Sequence, residues 1–565
     1  MEPIWRTHYD PGVPSSVAYP AAPLPWLLET AAQDYPDNIA TVFFGARMTY
    51  HEVNDEANRL AHALQALGLA RGERVALVLP NCPQFLISYY AVLKAGGIVV
   101  PTNPTYTARE FAHQFADAGV RMVITLNLFV PKIQEIRAET QIEHLIVTHV
   151  QNYLPTLLSY LHPIKERREG TAVHIMAGPG IHDFSELILH HSPAYTPLPV
   201  APTELAVLQY TGGTTGRAKG AMLTHRNLLA NTLQTRAWLT DVQLGGGEMV
   251  LGVTPFFHVY GMSSVMNFSL AVAGTLILLP RFNTKDVLRA IERYRITIFG
   301  GVPTMYIAIN NAPDTAKYDL SSIRACISGA APLPLEVAHE FERLTGGRLR
   351  EGYGLTEAAP VTHCNPVLGP IRAGSIGLPL PDVEARIVSL DDGHEMPLGE
   401  IGELAVRGPQ VMAGYWNAPD ESLNVLRDGW LLTGDMARVD ADGFFYIVDR
   451  KKDMIIAGGF NIYPREVEEV LYEHPAVLEA VVAGVPDSYR GETVKAFIVL
   501  KEGMTATADE IIAFSRSQLA GYKVPRAVEF RDSLPKSLIG KHLRRVLVDE
   551  ERAKLAAHNP DQGAA

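Results

Sequence analysis

A short segment rich in glycine and threonine carries the strongest chemical signal in the sequence. It reads Thr211-Gly-Gly-Thr-Thr-Gly-Arg-Ala-Lys-Gly220. Glycines let backbone N–H groups approach an oxyanion, threonine hydroxyls add donors, and a lysine ammonium adds positive charge. The segment therefore predicts a cradle for phosphate groups, formed by Thr211, Gly212, Gly213, Thr214, Thr215, Gly216 and Lys219.

The position of the lysine distinguishes this segment from the Walker phosphate loop. In the Walker loop the lysine follows a glycine directly and precedes serine or threonine at the start of a helix. Here Lys219 stands three residues after Gly216 and precedes Gly220. The spacing argues against a P-loop phosphotransferase and predicts a loop that joins two strands.

A second segment, Glu351-Gly-Tyr-Gly-Leu-Thr-Glu357, combines an aromatic ring, a hydroxyl and a carboxylate. A tyrosine between glycines can lie flat against a base, so Tyr353 suits an adenine site. Thr356 can donate to a phosphate, and Glu357 offers the hard oxygen ligand that Mg²⁺ prefers. Taken alone, the segment is also compatible with an ordinary glycine-rich turn.

Further candidates have a structural interpretation as well as a functional one. Asp435 after a glycine turn, Arg450 in a charged run and Lys541 near the end of the chain are individually typical of turns and solvated surfaces. His258 is as compatible with a satisfied core histidine as with a direct chemical role. Small residues at 328–331 permit either close approach of a ligand or tight packing.

The elements that must position these residues alternate between apolar runs and amphipathic helices. Strands are expected at 74–80, 97–101, 122–126, 144–148 and 205–210, with helices at 49–67 and 84–95. This alternation predicts an α/β fold with layered, largely parallel sheets. We expect an N-terminal domain over 1–449 with a β-rich subdomain at about 370–449, a compact α+β domain over 450–555, and a flexible tail at 556–565.

Composition excludes several classes of protein. With 61 acidic and 49 basic residues the net charge is −12, which argues against nucleic acid as a partner. The cysteines, Cys82, Cys326 and Cys364, fit no metal spacing and are expected to be reduced thiols. The first twenty residues lack the apolar region of a signal peptide, so a cytoplasmic address is expected. The uncharged stretch 259–280 is interpreted as a buried helix and strand rather than a membrane span.

The motifs together resemble the acyl-adenylate-forming (AMP-binding) superfamily, which contains acyl-CoA synthetases, aryl-CoA ligases, luciferases and peptide-synthetase adenylation domains. The resemblance runs in order from about residue 49 to residue 545. The segments 351–357, Gly458-Gly-Phe-Asn-Ile-Tyr-Pro464 and Gly414-Tyr-Trp416 are most similar to bacterial medium- and long-chain fatty acyl-CoA synthetases.

The resemblance implies a role for each candidate. Lys541 acts in adenylation with Thr356, Glu357 and His258, and Glu357 holds Mg²⁺. Asp435 takes the ribose hydroxyls and Arg450 contacts the nucleotide. The implied nucleotide site further includes Gly329, Ala330, Ala331, Glu351, Gly352, Tyr353, Gly354, Leu355 and Ile447.

The same resemblance implies two half-reactions on one acyl site. The C-terminal domain turns about Asp449, and Gly458, Gly459 and Phe460 face coenzyme A in the second reaction. Gly458 is a lysine in many aryl-CoA ligases, so a charged contact to coenzyme A is lost here. The implied acyl pocket consists of His258, Val259, Tyr260, Gly261, Val302, Gly354 and Pro360; residues 259–280 are equally compatible with ordinary core.

The expected substrates are a fatty acid, ATP with Mg²⁺, and coenzyme A. No acidic residue lies in 255–280, where peptide-synthetase domains hold a substrate ammonium, so an unsubstituted acid is favoured over an amino acid. An aryl-CoA ligase and an acyl-AMP ligase that serves a carrier protein remain alternatives. A long-chain role predicts transient contact with a membrane surface, and a homodimer is left open.

Overall fold

The computed structural model describes residues 3–169, 172–173, 178–196, 198–211, 218–457, 460–487, 491–536 and 542–558. The chain divides into two compact units. The first comprises Met1–Glu384 and Arg407–Leu431, and the second comprises Ala385–Val406 and Leu432–Ala565. The predicted α/β class, with a large unit of mainly parallel sheets and a smaller unit, is confirmed. The predicted boundary at residue 449 stays a prediction.

The strands up to residue 379 are β1 (Ile39–Phe43), β2 (Ala46–Thr49), β3 (Arg74–Val78), β4 (Ile98–Pro101), β5 (Met122–Leu126), β6 (His144–Thr148), β7 (Ile181–Asp183), β8 (Leu205–Thr211), β9 (Lys219–Thr224), β10 (Met249–Gly252), β11 (Thr275–Leu278), β12 (Ile298–Gly301), β13 (Ala325–Ser328), β14 (Arg348–Gly354), β15 (Val361–Cys364) and β16 (Leu378–Pro379).

The helices of the same part of the chain are α1 (Trp26–Asp34), α2 (Tyr50–Ala66), α3 (Pro83–Lys94), α4 (Ala108–Ala118), α5 (Val130–Ile136), α6 (Thr156–Glu169), α7 (Phe184–Leu189), α8 (His225–Trp238), α9 (Phe268–Ala271), α10 (Thr284–Tyr294), α11 (Pro303–Asn310) and α12 (Leu335–Thr345).

The remaining elements, in chain order, are β17 (Glu384–Val388), β18 (Gly402–Arg407), α13 (Pro419–Val425), β19 (Leu426–Arg427), β20 (Trp430–Val439), β21 (Phe445–Arg450), β22 (Ile455–Ala457), β23 (Phe460–Ile462), α14 (Pro464–Tyr472), β24 (Val477–Asp487), β25 (Gly491–Leu500), α15 (Ala508–Gln518), β26 (Ala527–Phe530) and α16 (Arg544–His558).

Two sheets with parallel centres build the first unit. One runs in the order β16-β15-β14-β13-β12-β10-β11-β1-β2, and the other runs β7-β6-β5-β3-β4-β8-β9. The central pairs are parallel, whereas β2, β9, β15 and β16 pair in the antiparallel sense. Strands such as β5, in which every residue is buried, have the continuous apolar character of parallel sheets covered on both faces.

In the second unit, β17, β18 and β20 are neighbours in that order, and β21 pairs with β20. A further sheet runs β23-β22-β25-β24, with β26 beside β25. Helix α15 begins at a capping box: the Thr507 side chain accepts from the N–H of Glu510, and the Glu510 carboxylate accepts from the N–H of Thr507.

The uncharged stretch 259–280 forms a π-helix at Tyr260–Asn267, then α9, then the fully buried strand β11. The predicted buried helix followed by a strand is therefore confirmed. In the described part of the chain, no helix is long and apolar enough to cross a membrane. The three cysteines are buried and free, as expected.

Candidate active site

The glycine- and threonine-rich segment joins two antiparallel strands. Thr211 ends β8, Lys219 begins β9, and the two residues are paired in register. This confirms the predicted strand–loop–strand arrangement. Residues 212–217, which include Gly212, Gly213, Thr214, Thr215 and Gly216, lie outside the described residues.

The Lys219 side chain is held at the base of this loop. Its Nζ lies 2.7 Å from Glu421 Oε2 and 5.4 Å from the centre of the Tyr415 ring. The ion pair and the aromatic face together restrain the ammonium, which is a fixed positive charge beside the predicted phosphate cradle.

Candidate residues of the large sheet follow the carboxyl ends of neighbouring parallel strands. Val302 follows β12, Gly329 follows β13, and Leu355 follows β14, and these strands are adjacent in the order β14-β13-β12-β10. In open α/β sheets, ligands bind beyond the carboxyl ends of the strands. The topology thus brings motifs that are distant in sequence to one edge of the sheet.

Backbone packing explains the glycines around Tyr353. A Cβ on Gly354 would lie 2.1 Å from the carbonyl oxygen of Pro360, and one on Gly352 would lie 3.0 Å from Ile327 Cγ2. Both glycines allow β14 to pack closely against its neighbours. The Tyr353 ring lies edge-on to His363, with 5.9 Å between the ring centres.

Glu351 and Glu357 have different surroundings. The Glu351 carboxylate is buried and accepts from the N–H of Leu333 at 3.0 Å, which anchors the chain after β13. Glu357 lies in the short 3-10 turn Thr356–Ala358, where its Oε1 accepts a hydrogen bond of 2.7 Å from the Tyr415 hydroxyl. Burial, followed by the nearby Glu357 charge, raises the pKa of the Tyr415 phenol above its ordinary value, so the hydroxyl stays protonated and donates.

Tyr415 is a residue to which the sequence assigned no role. Its hydroxyl contacts Glu357, and its ring lies beside Lys219. The adjoining backbone pairs with β9: the N–H of Met222 donates to Gly414 O at 2.8 Å, and the N–H of Trp416 donates to Gly220 O at 2.8 Å. The Gly414-Tyr-Trp416 motif was visible in the sequence, but its contacts depend on residues 58 and about 200 positions away.

The predicted acyl-pocket residues pack against the predicted nucleotide residues. The Tyr260 hydroxyl donates to the Ile327 carbonyl at 2.7 Å, and a Cβ on Gly329 would lie 3.3 Å from the Tyr260 ring. A Cβ on Gly261 would lie 2.2 Å from the Pro255 carbonyl oxygen, so glycine is required for this packing. In the loop after Gly329, the next residue, Ala330, has a left-handed backbone with a φ of 68°, and Ala331 follows it.

His258 lies at the start of this π-helical region, and its backbone N–H donates to Pro255 O at 3.2 Å. Burial lowers the pKa of the imidazole to about 4. The side chain is therefore neutral near pH 7. Val259, Val302 and Pro360 complete the predicted pocket, and Val259 and Val302 are buried.

In the second unit, Asp435 and Arg450 face each other on paired strands. They are partners in the register of β20 and β21, and Arg450 Nε lies 3.4 Å from Asp435 Oδ1. The structure therefore brings these two candidates together. Ile447 contributes its carbonyl, which accepts from Arg465 Nη1 at 3.0 Å.

Asp449 has several donors around a buried carboxylate. The backbone N–H groups of Arg450 and Arg465 each donate to it at 2.7 Å, and Arg544 Nη1 lies 3.7 Å away. Because Arg465 is in the first turn of α14, the carboxylate also caps that helix. Burial raises the pKa of Asp449 to about 6 despite these donors.

Three further predicted residues, Lys541, Gly458 and Gly459, also lie outside the described residues, and Phe460 is the first residue of β23. Lys451 is exposed, and its Nζ lies 3.0 Å from Oε2 of buried Glu403. Among the described residues, no group of three or more His, Cys, Asp or Glu side chains could hold a metal ion.

Comparison with known proteins finds relatives over most of the chain. Residues 28–416 match the model of the AMP-binding enzyme family, and residues 466–541 match that of the AMP-binding enzyme C-terminal domain. The long-chain-fatty-acid–CoA ligase of Bacillus subtilis (strain 168) is 51% identical over 551 residues, which cover 97% of this chain and 98% of the relative.

Solved structures agree with the sequence comparison. ATP-bound MatB from Rhodopseudomonas palustris has a TM-score of 0.82 at 31% identity, covering 94% of this chain and 99% of that one. The anthranilate CoA ligase AuaEII in complex with anthranoyl-AMP has a TM-score of 0.83 at 29% identity, covering 95% of this chain and 99% of that one. Because the family model matches most of the chain and the Bacillus subtilis relative matches nearly its full length, the chain belongs to the family of AMP-binding enzymes.

Proposed function

We propose that this chain activates a fatty acid with ATP and transfers the acyl group to coenzyme A. The observation that carries the proposal is its 51% identity, over nearly the full length of both chains, to a long-chain-fatty-acid–CoA ligase. The Glu357–Tyr415–Lys219 contacts support the proposal, because they hold a carboxylate and an ammonium group next to the β8–β9 loop.

In the first half-reaction, a carboxylate oxygen of the acid attacks the α-phosphorus of ATP. The bond from that phosphorus to the bridging oxygen breaks, and pyrophosphate leaves with the electron pair. Lys219 offsets the negative charge of the phosphates, and the threonines of its loop donate hydrogen bonds to them. Lys541 screens the repulsion between the carboxylate and the α-phosphate. Asp435 accepts from the ribose hydroxyls, Arg450 contacts the nucleotide, and Tyr353 packs against the adenine.

In the second half-reaction, the sulfur of coenzyme A attacks the acyl carbonyl carbon. The bond to the AMP oxygen breaks, AMP leaves with the electron pair, and the thiol proton passes to solvent. His258 stays neutral at pH 7 because burial lowers its pKa to about 4, so it borders the acyl group without adding charge. We propose that the C-terminal domain rotates about Asp449 between the two half-reactions. Coenzyme A then binds beside Gly458, Gly459 and Phe460.

The residues also fit a magnesium ion that accompanies the nucleotide. Mg²⁺ is commonly held by one or two carboxylates together with substrate phosphates. Glu357 supplies one such carboxylate, and the Tyr415 hydroxyl fixes its orientation. When bound, the ion neutralises charge on the phosphate oxygens, and Glu357 is the residue that would hold it.

The proposal is tested by assaying thioester formation with acetate, octanoate, palmitate and a cinnamate, each with ATP and coenzyme A. We expect octanoyl-CoA or palmitoyl-CoA and one AMP per thioester, with a much smaller kcat/KM for the cinnamate. A higher kcat/KM for the cinnamate would favour the aryl-CoA ligase alternative. Formation of acyl-AMP without any thioester would favour a ligase that serves a carrier protein.

A further inference from the structure

Helix α6 presents its polar side to the protein. Its half-buried residues are spaced at i, i+3, i+4 and i+7, and they are Ser159, His162, Pro163 and Glu166. His162 and Glu166 also pair with each other, at 3.6 Å. This spacing defines one stripe along a helix, and the stripe facing the protein is therefore mostly polar.

The opposite stripe of the helix is apolar and exposed. It consists of Leu157, Tyr160, Leu161 and Ile164, which have the same spacing and are 73%, 75%, 49% and 62% exposed. We call these residues the outer face of α6. A surface helix normally turns its apolar stripe towards the core, so α6 has the reverse orientation. Contiguous exposed apolar residues of this kind mark interaction surfaces.

A turn from another part of the first unit lies beside the start of this helix. A Cβ on Gly45 would lie 4.0 Å from Pro155 Cγ and 3.9 Å from Arg293 Nη2. The preceding residue, Phe44, is 52% exposed. This neighbourhood therefore contains a second exposed aromatic side chain and an arginine.

Among the described side chains, the exposed charges bordering the outer face are arginines, which suit anionic lipid, whereas Glu166 of the same turn lies on the half-buried stripe and pairs with His162. Arg167 and Arg168 are exposed in the last turn of α6. Arg168 follows Leu157 by about three turns of 3.6 residues, so it continues the apolar stripe. Exposed apolar residues with arginines at their border are typical of helices that lie in the headgroup region of a membrane.

We propose that the outer face of α6 docks on the surface of an anionic lipid bilayer. This inference rests on the proposed function, because long acyl chains partition into bilayers and a docked enzyme meets its substrate there. The leucines, Tyr160 and Ile164 enter the boundary between headgroups and acyl chains, and Arg167 and Arg168 contact lipid phosphates. The helix lies on the membrane and does not span it.

The test is co-sedimentation of the full chain with vesicles of phosphatidylglycerol and phosphatidylcholine, and with phosphatidylcholine alone, at low and high salt. Leu157→Ser/Ile164→Ser removes two outer-face side chains, and Arg167→Gln/Arg168→Gln removes the charges. Leu244→Ser is the matched control, because Leu244 is 60% exposed in a loop elsewhere. Each variant is also assayed with octanoate free in solution and with palmitate supplied in vesicles.

We expect the wild type and Leu244→Ser to bind the anionic vesicles. The serine variant should bind at least about tenfold more weakly, and the glutamine variant should lose the salt dependence. Activity on dissolved octanoate should be unchanged in all variants, whereas activity on vesicle-bound palmitate should fall in the serine variant. Vesicle binding without any activity on octanoate would support docking and reject the proposed function.

Two results would overturn the docking proposal. One is a wild type that does not bind anionic vesicles while still activating dissolved octanoate. The other is a dimer that becomes a monomer in the serine variant, seen by sedimentation velocity, which would assign the outer face of α6 to a contact between two copies of the chain.

Discussion

Replacing Tyr415 by phenylalanine isolates one hydrogen bond in the candidate site. The change removes the hydroxyl that donates to Glu357 Oε1 at 2.7 Å but keeps the ring that lies 5.4 Å from Lys219 Nζ. A hydrogen bond to a charged group contributes about 1.5–3 kcal/mol. Because Tyr415 is only half buried, we expect the lower end of that range, which corresponds to about a tenfold effect.

The measurement is the dependence of ATP–pyrophosphate exchange on Mg²⁺ concentration. Tyr415→Phe should raise the Mg²⁺ concentration at half-saturation about tenfold and change the melting temperature little. Tyr19→Phe is the matched control, because the Tyr19 hydroxyl donates to the Asp382 carboxylate at 2.6 Å and neither residue belongs to the candidate site. Tyr415→Leu, which also removes the ring beside Lys219, should be more severe.

The reasoning would be refuted if Tyr415→Phe left the Mg²⁺ dependence within twofold of the wild type. Glu357 would then not depend on the phenol for its orientation. An equal loss at every Mg²⁺ concentration, together with a lower melting temperature, would assign Tyr415 a purely structural role.

Three further predictions concern stability and nucleotide binding. Gly354→Ala should destabilise the protein by about 2–3 kcal/mol, because the added Cβ would lie 2.1 Å from Pro360 O. Urea unfolding tests this, with Gly521→Ala as the control, because a Cβ on Gly521 would meet no atom within 4 Å. Equal stability of the two variants would contradict the prediction. Burial lowers the pKa of His225 to about 4, so its stabilising contribution is complete above pH 6.5 and is lost as pH falls towards 4. That loss amounts to about 3 kcal/mol in the free energy of unfolding. His225→Asn should therefore make the free energy of unfolding, measured with urea, depend less on pH between 6.5 and 4. An unchanged dependence on pH would show that His225 is not responsible. Asp435→Asn should raise the KM for ATP about tenfold and affect 3′-deoxy-ATP less, and an equal effect on both nucleotides would argue against ribose recognition.

The helices, strands and several local contacts could be predicted because they depend on neighbouring residues. The strands at 122–126 and 144–148 have the predicted bounds, and the capping box of α15 follows from Thr507 and Glu510, which are three residues apart. The β8–β9 arrangement followed from the position of Lys219, which does not fit a loop that opens a helix.

The contacts of Tyr415 and Asp449 could not be predicted, since they join residues that only the tertiary structure brings together. Tyr415 and Glu357 are 58 positions apart, and the Asp449 carboxylate accepts from Arg465 16 positions later. The division into compact units was also hidden, because Ala385–Val406 belongs to one unit and the following Arg407–Leu431 to the other. Local sequence patterns do not show that consecutive segments belong to different units.

The orientation of α6 illustrates the same limit. Its sequence contains two stripes of equal spacing, one mostly polar and one apolar, and the usual pattern of a surface helix would turn the apolar stripe towards the core. Only the packing shows that Ser159 and Glu166 are half buried while Leu157 and Ile164 are exposed.

The most direct test of the proposed function is ATP–pyrophosphate exchange with palmitate, octanoate, acetate and a cinnamate, measured with wild-type protein and with Lys541→Ala. Exchange that requires a fatty acid and falls by at least about a hundredfold in the variant is the predicted result, because the lysine screens the charge that builds up at the α-phosphate. Absence of exchange with every acid, in protein that still binds ATP, would contradict the assignment as an acid-activating ligase.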